Sequence, residues 1–138
     1  MSSEFDLCLV LNARMASRAV TRLADRRLRH HGITAAQFSI LTSLWDHPGR
    51  SVTQMARAIA MDRSTLSRNL ALLERNGLVT TSAAERGNGR VSALSETGRQ
   101  VIGDAIPAWR AQQSQLRAAL DDPEFATVIA ALRQLARL

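Results

Sequence analysis

The stretch of residues 51–98 constrains the fold of this chain more than any other part of the sequence. Apolar residues recur at helical spacing over residues 53–60 and again over residues 63–76, with Met61 and Asp62 between the two patterns. Asp62 suits the start of the second helix, because its carboxylate accepts backbone N–H bonds and complements the positive end of the helix dipole. Two short helices joined by a tight turn predict a helix-turn-helix unit.

A basic β-hairpin is predicted directly after the second helix. Residues 78–82 and 91–94 are rich in β-branched and other apolar side chains, which is typical of strands. The loop between them, residues 83–90, contains two glycines and an asparagine, which allow a tight tip from which Arg86 and Arg90 can project. A helix-turn-helix followed by such a hairpin predicts a mainly α-helical fold, the winged helix-turn-helix.

The outward face of the second helix carries side chains suited to reading DNA. Leu66, Leu70 and Leu73 form its inward stripe, so the remaining positions face away from the core. Short polar groups near a helix N-terminus, with arginine or asparagine beside them, match what the major groove requires. In isolation such a helix is as often an ordinary solvated face, but the neighbouring helix and hairpin favour DNA. The predicted contacts are Arg63, Ser64, Thr65, Ser67, Arg68 and Asn69.

The charge balance favours a polyanionic partner. The 138 residues carry a net charge of +6, and all 18 basic residues are arginines. Arginine suits bidentate contacts to phosphate and guanine, although a GC-rich genome explains an arginine excess at least as well. On the predicted hairpin tip, an arginine would enter the narrow, electronegative minor groove beside the recognition helix. A flexible, solvated hairpin is the alternative interpretation of the tip.

Long helical patterns flank the helix-turn-helix and hairpin on both sides. Residues 4–31 form one uninterrupted pattern, and residues 96–120 form another that Pro107 should kink or break. A last helix is expected to start with Asp122 as its cap and Pro123 as its first residue. Both ends of the chain therefore present apolar stripes that one small domain cannot readily cover.

These apolar stripes predict a homodimer. Within one domain spanning residues 1–138, we assign residues 4–31 and 99–138 to a dimerisation region and residues 32–98 to the DNA-binding region. Two-fold symmetry would place the two recognition helices about 34–36 Å apart, on half-sites one helical turn apart.

Residues 32–98 strongly resemble the MarR family of bacterial transcriptional regulators. The matching phrases are ITAAQFSILTSL, SVTQMARAIAMDRSTLSRNLALLERNGLV and the closing ALSETGR, and the end helices agree in length and pattern. The resemblance implies a triangular homodimer that binds palindromic operator DNA, usually as a repressor released by a small ligand or by oxidation. By position, Ser64, Thr65, Ser67 and Arg68 match the family's major-groove residues.

The hairpin departs from the pattern of that family. The pair Glu85 and Arg86, an acidic residue followed by a basic one, lies one residue farther from Leu94 than the family spacing requires. Gly87 replaces an arginine, and Ser95 replaces the threonine of the closing phrase. The resemblance therefore implies that either Arg86 or Arg90 is the arginine of the wing.

An apolar ligand pocket is the switch that we favour. The resemblance implies that small aromatic or amphipathic effectors bind between the first two helices and the proline-containing helix. Aromatic and soft walls with one arginine for a carboxylate would suit such a ligand, although the same side chains also serve as ordinary core. The candidate lining residues are Arg14, Met15, Trp45 and Trp109.

A redox switch through Cys8 is the alternative. Cys8 is the only cysteine and lies near the start of the first predicted helix, a position that favours a reactive thiol. The family has a peroxide-sensing branch, but this chain has no tyrosine and so lacks that branch's partner residues. A small buried apolar side chain is therefore the better account of Cys8.

Other functional classes find little support in the sequence. There is no Gly-rich phosphate loop and no nucleophile–base pattern, so an enzyme is not expected. His30, His31 and His47 lack metal-ligand spacing, so neither a metal nor a cofactor is expected.

A low-specificity architectural DNA binder is the serious rival to a sequence-specific regulator. No apolar run reaches the ~20 residues of a membrane span, and with a single cysteine and a polar start this predicts a cytoplasmic protein.

Overall fold

Helices dominate the structure, and a single hairpin interrupts them within the part of the chain that is described. The computed structural model describes residues 3–87 and 89–138. No helix among these residues is long and apolar enough to cross a membrane. The elements in chain order are α1 (Leu9–Leu28), α2 (Ala35–Asp46), α3 (Val52–Ala58), α4 (Arg63–Arg75), β1 (Val79–Ala83), β2 (Arg90–Leu94), α5 (Glu96–Ala119) and α6 (Phe125–Leu135).

The first predicted helix is not continuous. Residues 4–31 contain a short 3₁₀ turn, Glu4–Leu7, before α1 begins at Leu9, and Cys8 between them has an extended backbone. The amide of Asn12 donates to the Cys8 carbonyl at 2.9 Å, which satisfies a backbone acceptor at this break. The prediction of one uninterrupted helix is therefore wrong at its start, because local side-chain hydrogen bonds close the first turn separately.

Local capping fixes the starts of α2 and α3. Thr34 and Ser51 each accept a bond from a backbone N–H three residues later, and the glutamines at those positions, Gln37 and Gln54, bond back to the cap backbone. Such reciprocal capping boxes satisfy two otherwise free N–H groups each. Gly32 adopts the left-handed φ of 73° between α1 and α2, so the predicted helix stop there is confirmed.

The hydrophobic core lies where α2 packs against α4, α5 and β2. Helix α2 contributes side chains that are almost completely buried, and the inward stripe of α4 is buried as predicted. Burying one such side chain contributes about 1.5–3 kcal/mol relative to leaving it exposed. The most deeply buried large side chains are Ile40, Leu41, Met55, Leu66, Leu73, Val79 and Ile102.

Helix α5 runs through Pro107 without a break, so of the predicted kink or break the break is wrong, and the bend near residues 104–107 stays a prediction. Proline cannot donate the backbone hydrogen bond of its position. Burial of Ala105 before the proline and of Gln112 after it holds both halves of α5 against the neighbouring helices. Tertiary packing therefore outweighs the local preference of proline.

Helix α6 begins later than predicted. Residues 121–124 form a turn, and Glu124 rather than Asp122 is the N-cap, so Pro123 is not helical. The guanidinium of Arg117 lies over the Phe125 ring at 4.6 Å, and this cation–π contact favours a helix start at Phe125. No residue of α6 is buried within the single chain.

Candidate nucleic-acid interface

A tight backbone closure at the end of α3 sets the direction of α4. The N–H of Met61 donates to the Ala56 carbonyl at 3.0 Å, and the N–H of Ala60 donates to the Arg57 carbonyl at 3.4 Å. These two bonds form a Schellman closure, which requires a left-handed residue at its centre. Ala60 takes that conformation with a φ of 52°, although it is not a glycine.

Asp62 caps the N-terminus of α4, as the sequence predicted. One carboxylate oxygen accepts the backbone N–H of Thr65 at 2.9 Å and the hydroxyl of Ser64 at 2.8 Å. The Thr65 backbone bond, with further bonds from the Thr65 and Ser64 side chains and the charge of Arg68, lowers the pKa of Asp62 to about 2. The carboxylate is therefore ionised at neutral pH, and it orients the Ser64 side chain at the exposed helix start.

The exposed face of α4 contains four of the six predicted DNA contacts. Arg63, Ser64, Ser67 and Arg68 are exposed above a buried leucine stripe. A guanidinium N–H of Arg68 points to the Thr65 hydroxyl at 3.4 Å, one turn back along the helix. The N-terminal half of α4 thus presents two cations and two small hydroxyls on one surface.

Thr65 and Asn69 are placed differently from those four residues. Both are half-buried, and the Asn69 amide donates to the Thr65 backbone carbonyl at 3.0 Å. That bond uses one of the two N–H donors of the amide and leaves the other donor and the oxygen acceptor free. Asn69 thus bonds to the backbone of α4 in this structure and still has polar atoms that could face DNA.

The two strands differ slightly from the prediction: β1 begins and ends one residue later, and β2 begins one residue earlier. Val79 pairs with Leu94 and Ala83 pairs with Arg90, in an antiparallel register. Arg86 lies in the loop beyond this pairing, whereas Arg90 is the first residue of β2, and both arginines are exposed. The structure thus distinguishes the two candidate wing arginines, because Arg86 belongs to the loop and Arg90 belongs to a strand.

Two contacts anchor the hairpin, and both reach beyond the local helix cap that the sequence predicts at Ser95. Ser51, the cap of α3, forms an isolated β-bridge with Val91 of β2. At the other end, the Ser95 hydroxyl bonds to the Gly77 carbonyl and accepts the N–H of Gly98 at 3.0 Å. A serine or a threonine can make both bonds, so the change from the family's threonine preserves this anchor.

An exposed arginine on α3 was also missed. Arg57 lies in the last turn of α3, directly before the closure that leads to α4. The apolar spacing of residues 53–60 identifies the inward positions of this helix but not Arg57. In the sequence, Arg57 could have been recognised as an outward residue because it follows the inward-facing Ala56 and precedes the turn at Ala60.

The predicted ligand-pocket residues do not gather around one cavity. A cavity of about 300 Å³ lies between α1, α2 and α5, and its lining includes Trp109 but not Arg14, Met15 or Trp45. Trp109 stacks against Phe38 with ring centroids 6.5 Å apart. Met15 and Trp45 are exposed elsewhere on the surface of the single chain.

Cys8 is exposed, so its interpretation as a buried apolar side chain is wrong for the single chain. The sequence prediction placed it inside a continuous helix, whereas it stands at the N-cap position of α1 with an extended backbone and no side-chain capping bond. Within residues 3–87 and 89–138, no group of three or more His, Cys, Asp or Glu side chains could hold a metal ion.

Comparisons with known proteins agree with this geometry. Residues 33–90 match the model of the MarR family. The chain is 32% identical over 99 residues to the organic hydroperoxide resistance transcriptional regulator of Bacillus subtilis, covering 71% of this chain and 66% of that protein. It is 31% identical over 109 residues to the regulator TtmR of Methylorubrum extorquens, covering 77% of this chain and only 55% of that protein.

Solved structures extend the likeness over nearly the whole chain. The transcriptional regulator MosR of M. tuberculosis is 33% identical, with a TM-score of 0.83 over 96% of this chain and 98% of that one. A structure of MosR in complex with DNA is 29% identical, with a TM-score of 0.86 over 94% of each chain. The helix-turn-helix, the hairpin and these matches together show that the chain belongs to the MarR family of transcriptional regulators.

Proposed function

We propose that this protein is a repressor that binds palindromic operator DNA as a homodimer and is released by a small ligand. The observation that carries the proposal is the exposed N-terminal face of α4, with Arg63, Ser64, Ser67 and Arg68 beside a hairpin that carries exposed arginines. Short hydroxyls and arginines on a recognition helix suit the base edges of the major groove.

The hairpin supports a second contact in the minor groove. Arg86 lies in the loop beyond the paired strands, and its side chain is exposed. A narrow minor groove concentrates negative potential and attracts an inserted guanidinium. The structure of MosR in complex with DNA supports DNA binding, without specifying a groove, for a chain of this fold.

Exposed apolar side chains at both ends of the chain support the homodimer. Phe5 is 71% exposed, Val10 is 67% exposed and Leu132 is 52% exposed in the single chain. An isolated helix shorter than about 12–15 residues is marginal in water, and α6 has 11 residues with none buried. A second copy of the chain would cover these faces and would hold two recognition helices in register.

The cavity between α1, α2 and α5 supports control by a ligand. Helix α2 lines this cavity on one side and packs against α4 on the other. A ligand that moves α2 relative to α1 and α5 would therefore change the position of the recognition helix. The redox alternative is not favoured, because Cys8 has no second cysteine to form an internal disulfide and the chain has no tyrosine.

The specificity ratio for DNA tests the proposal. Duplexes with a randomised central segment are selected on the immobilised full-length protein, and the enriched sequence is compared with a scrambled duplex at physiological salt. A regulator should prefer a palindromic sequence by roughly 10³-fold or more. Equal affinity for both duplexes would instead establish the architectural binder. Sedimentation equilibrium on the same sample tests assembly and is expected to give a dimer. An operator–reporter fusion tests repression separately.

A further inference from the structure

The hydroxyl of Ser64 has its proton bound to a neighbour within the protein. Its Oγ donates to Oδ2 of Asp62 at 2.8 Å, and the same carboxylate oxygen accepts the backbone N–H of Thr65 at 2.9 Å. Because an ionised carboxylate can only accept, the hydroxyl is the donor of this pair. Ser64 is nevertheless exposed at the start of α4. Its oxygen therefore offers only lone pairs to a bound molecule.

Asp62 stays ionised and in place at the pH at which DNA is bound. It caps α4 by accepting the Thr65 N–H, which belongs to the helix-start donors that have no partner within the helix. The backbone and side-chain bonds from Thr65, followed by the bond from Ser64, lower the pKa of Asp62 to about 2. A charge-assisted hydrogen bond is stronger than a neutral one, and it strengthens when a bound duplex displaces water. We therefore expect the Ser64 proton to stay on Asp62 in the complex.

An acceptor without a free proton excludes two contacts that a serine commonly makes with DNA. Phosphate oxygens carry no hydrogen to donate to Ser64, and the negative charge of Asp62 beside it repels them. The major-groove acceptors, which are N7 and O6 of guanine, N7 of adenine and O4 of thymine, are excluded for the same lack of a donor. The remaining partners are the major-groove donors, namely the amino groups at N6 of adenine and N4 of cytosine.

We propose that Ser64 is a specificity-determining residue that accepts a hydrogen bond from the amino group of an adenine or a cytosine in the major groove. Asp62 imposes this preference by holding the Ser64 proton. The inference rests on the proposed operator binding and assigns one hydrogen-bonding class to one position of each half-site. It also gives Ser64 a role different from that of Ser67, which is exposed three residues further along the same helix.

Arg68 gives the position of this base pair relative to a second contact. Ser64 and Arg68 are four residues apart and are both exposed on the N-terminal half of α4. Four residues correspond to about 6 Å along a helix axis, and base pairs follow one another every ~3.4 Å. Since arginine donates to the acceptors of guanine, a G·C pair is expected within about two base pairs of the amino group that Ser64 reads.

Removal of single amino groups from the selected operator tests the inference. Each adenine of a half-site is replaced in turn by purine and each cytosine by 2-pyrimidinone, which removes the amino group and keeps the ring. At one position, within about two base pairs of the one that Arg68→Ala relaxes, the removal should weaken binding of the natural protein about fivefold. The same removal should not weaken binding of Ser64→Ala, which lacks the acceptor. Comparison of the two proteins cancels the effect of the analogue on the duplex itself.

Variants of Asp62 test the origin of the preference. At the same position, the base with the amino group is exchanged for one with an oxygen acceptor in its place, guanine for adenine or thymine for cytosine. The natural protein should bind this duplex about fivefold less tightly. Asp62→Gly frees the Ser64 proton at little cost to the helix start, and it should reduce the difference to less than about twofold. Asp62→Asn keeps an oxygen that can accept the proton, so it should retain the preference.

A matched control and the contrary outcomes complete the experiment. Ser67→Ala removes a hydroxyl from the same exposed face, and the loss on removal of the amino group should persist in this variant. An equal loss for the natural protein and Ser64→Ala overturns the inference, and so does a Ser64→Ala variant that weakens every duplex by one factor. A preference that survives Asp62→Gly overturns the role of Asp62. The absence of any preferred operator contradicts the proposed function, whereas a preferred operator without this coupling contradicts the inference alone.

Discussion

Gly98 of α5 packs so closely against Leu78 that a Cβ at Gly98 would lie 2.0 Å from the Leu78 carbonyl oxygen. That oxygen accepts the backbone N–H of Ser95 at 3.0 Å, one turn earlier. The residue that leads into β1 is therefore held against the first turn of α5. Because the contact is with backbone, no side-chain movement can make room for a larger residue, and only glycine fits.

Gly98→Ala should destabilise the protein by about 2–4 kcal/mol, because the new methyl group must push apart two backbone segments. Gly103→Ala is the matched control, since a Cβ there would meet nothing within 4 Å in the same helix. That change should be neutral or stabilising by up to about 1 kcal/mol, since alanine is the better helix former. Urea unfolding at one protomer concentration measures both, and equal midpoints for the two variants would contradict the close contact.

Ala60→Gly should stabilise the protein by about 0.5–1 kcal/mol, because glycine adopts a positive φ without steric cost. Ala60 holds a φ of 52° in the turn between α3 and α4. Ala71→Gly, at an exposed interior position of α4, should instead destabilise by about 1 kcal/mol. Thermal unfolding distinguishes the two cases, and a loss of stability in both variants would rule out strain at Ala60.

Local signals made most of the elements predictable. Thr34, Asp62 and Ser95 each accept a backbone bond at a helix start, and such caps depend on a few neighbouring residues. The leucine stripe of α4 follows from period alone. The break at Cys8 and the start of α6 were missed, because each depends on side-chain contacts that compete with a smooth helical pattern.

The cavity could not be predicted residue by residue. Gln112 looks like a surface residue in the sequence, and its burial depends on how α5 packs against α1 and α2. Trp45 is an attractive aromatic candidate by composition, yet it lies outside the cavity. Helical period assigns a residue to one face of its own helix, but it does not say which faces of three helices meet.

Asp62 should stabilise the fold only in its ionised form. Its folded-state pKa is about 2, below the ordinary value of 3.8, since it accepts the Thr65 N–H and nearby hydroxyls. A lowered folded-state pKa gives a contribution that is complete above about pH 4 and is lost as the pH falls toward 2. Asp62→Asn keeps an oxygen acceptor but cannot ionise.

The measurement for Asp62 is therefore a difference in Tm between the natural protein and Asp62→Asn. This difference should be constant from about pH 7 to pH 5 and should narrow between about pH 4 and pH 2. All other titrating groups are shared by the two proteins, so they cancel to first order. A difference that does not change with pH would show that the charge of Asp62 plays no part.

Arg68→Ala should weaken binding to the selected operator by about 10–100-fold and binding to scrambled DNA much less, because a base contact carries about 1–3 kcal/mol of discrimination. Arg68 is exposed on the N-terminal half of α4. Arg75→Ala is the control, since Arg75 is exposed in the last turn of the same helix. Competition binding at fixed salt measures the ratio, and equal losses on both DNAs would limit Arg68 to phosphate contact.

Arg86→Ala should reduce affinity for every duplex by a similar factor. It should also lower the magnitude of the slope of log K against log salt concentration by about one, as expected when one contact to the DNA phosphate backbone is lost. Arg90→Ala should change both quantities less. The reason is the register: Arg90 pairs with Ala83 and shares its strand face with Ser92 and Leu94, which are buried, whereas Arg86 lies beyond the paired strands. Fluorescence anisotropy at several salt concentrations measures both slopes. The reverse order, with Arg90→Ala giving the larger change in slope, would assign the minor-groove contact to the strand rather than to the loop.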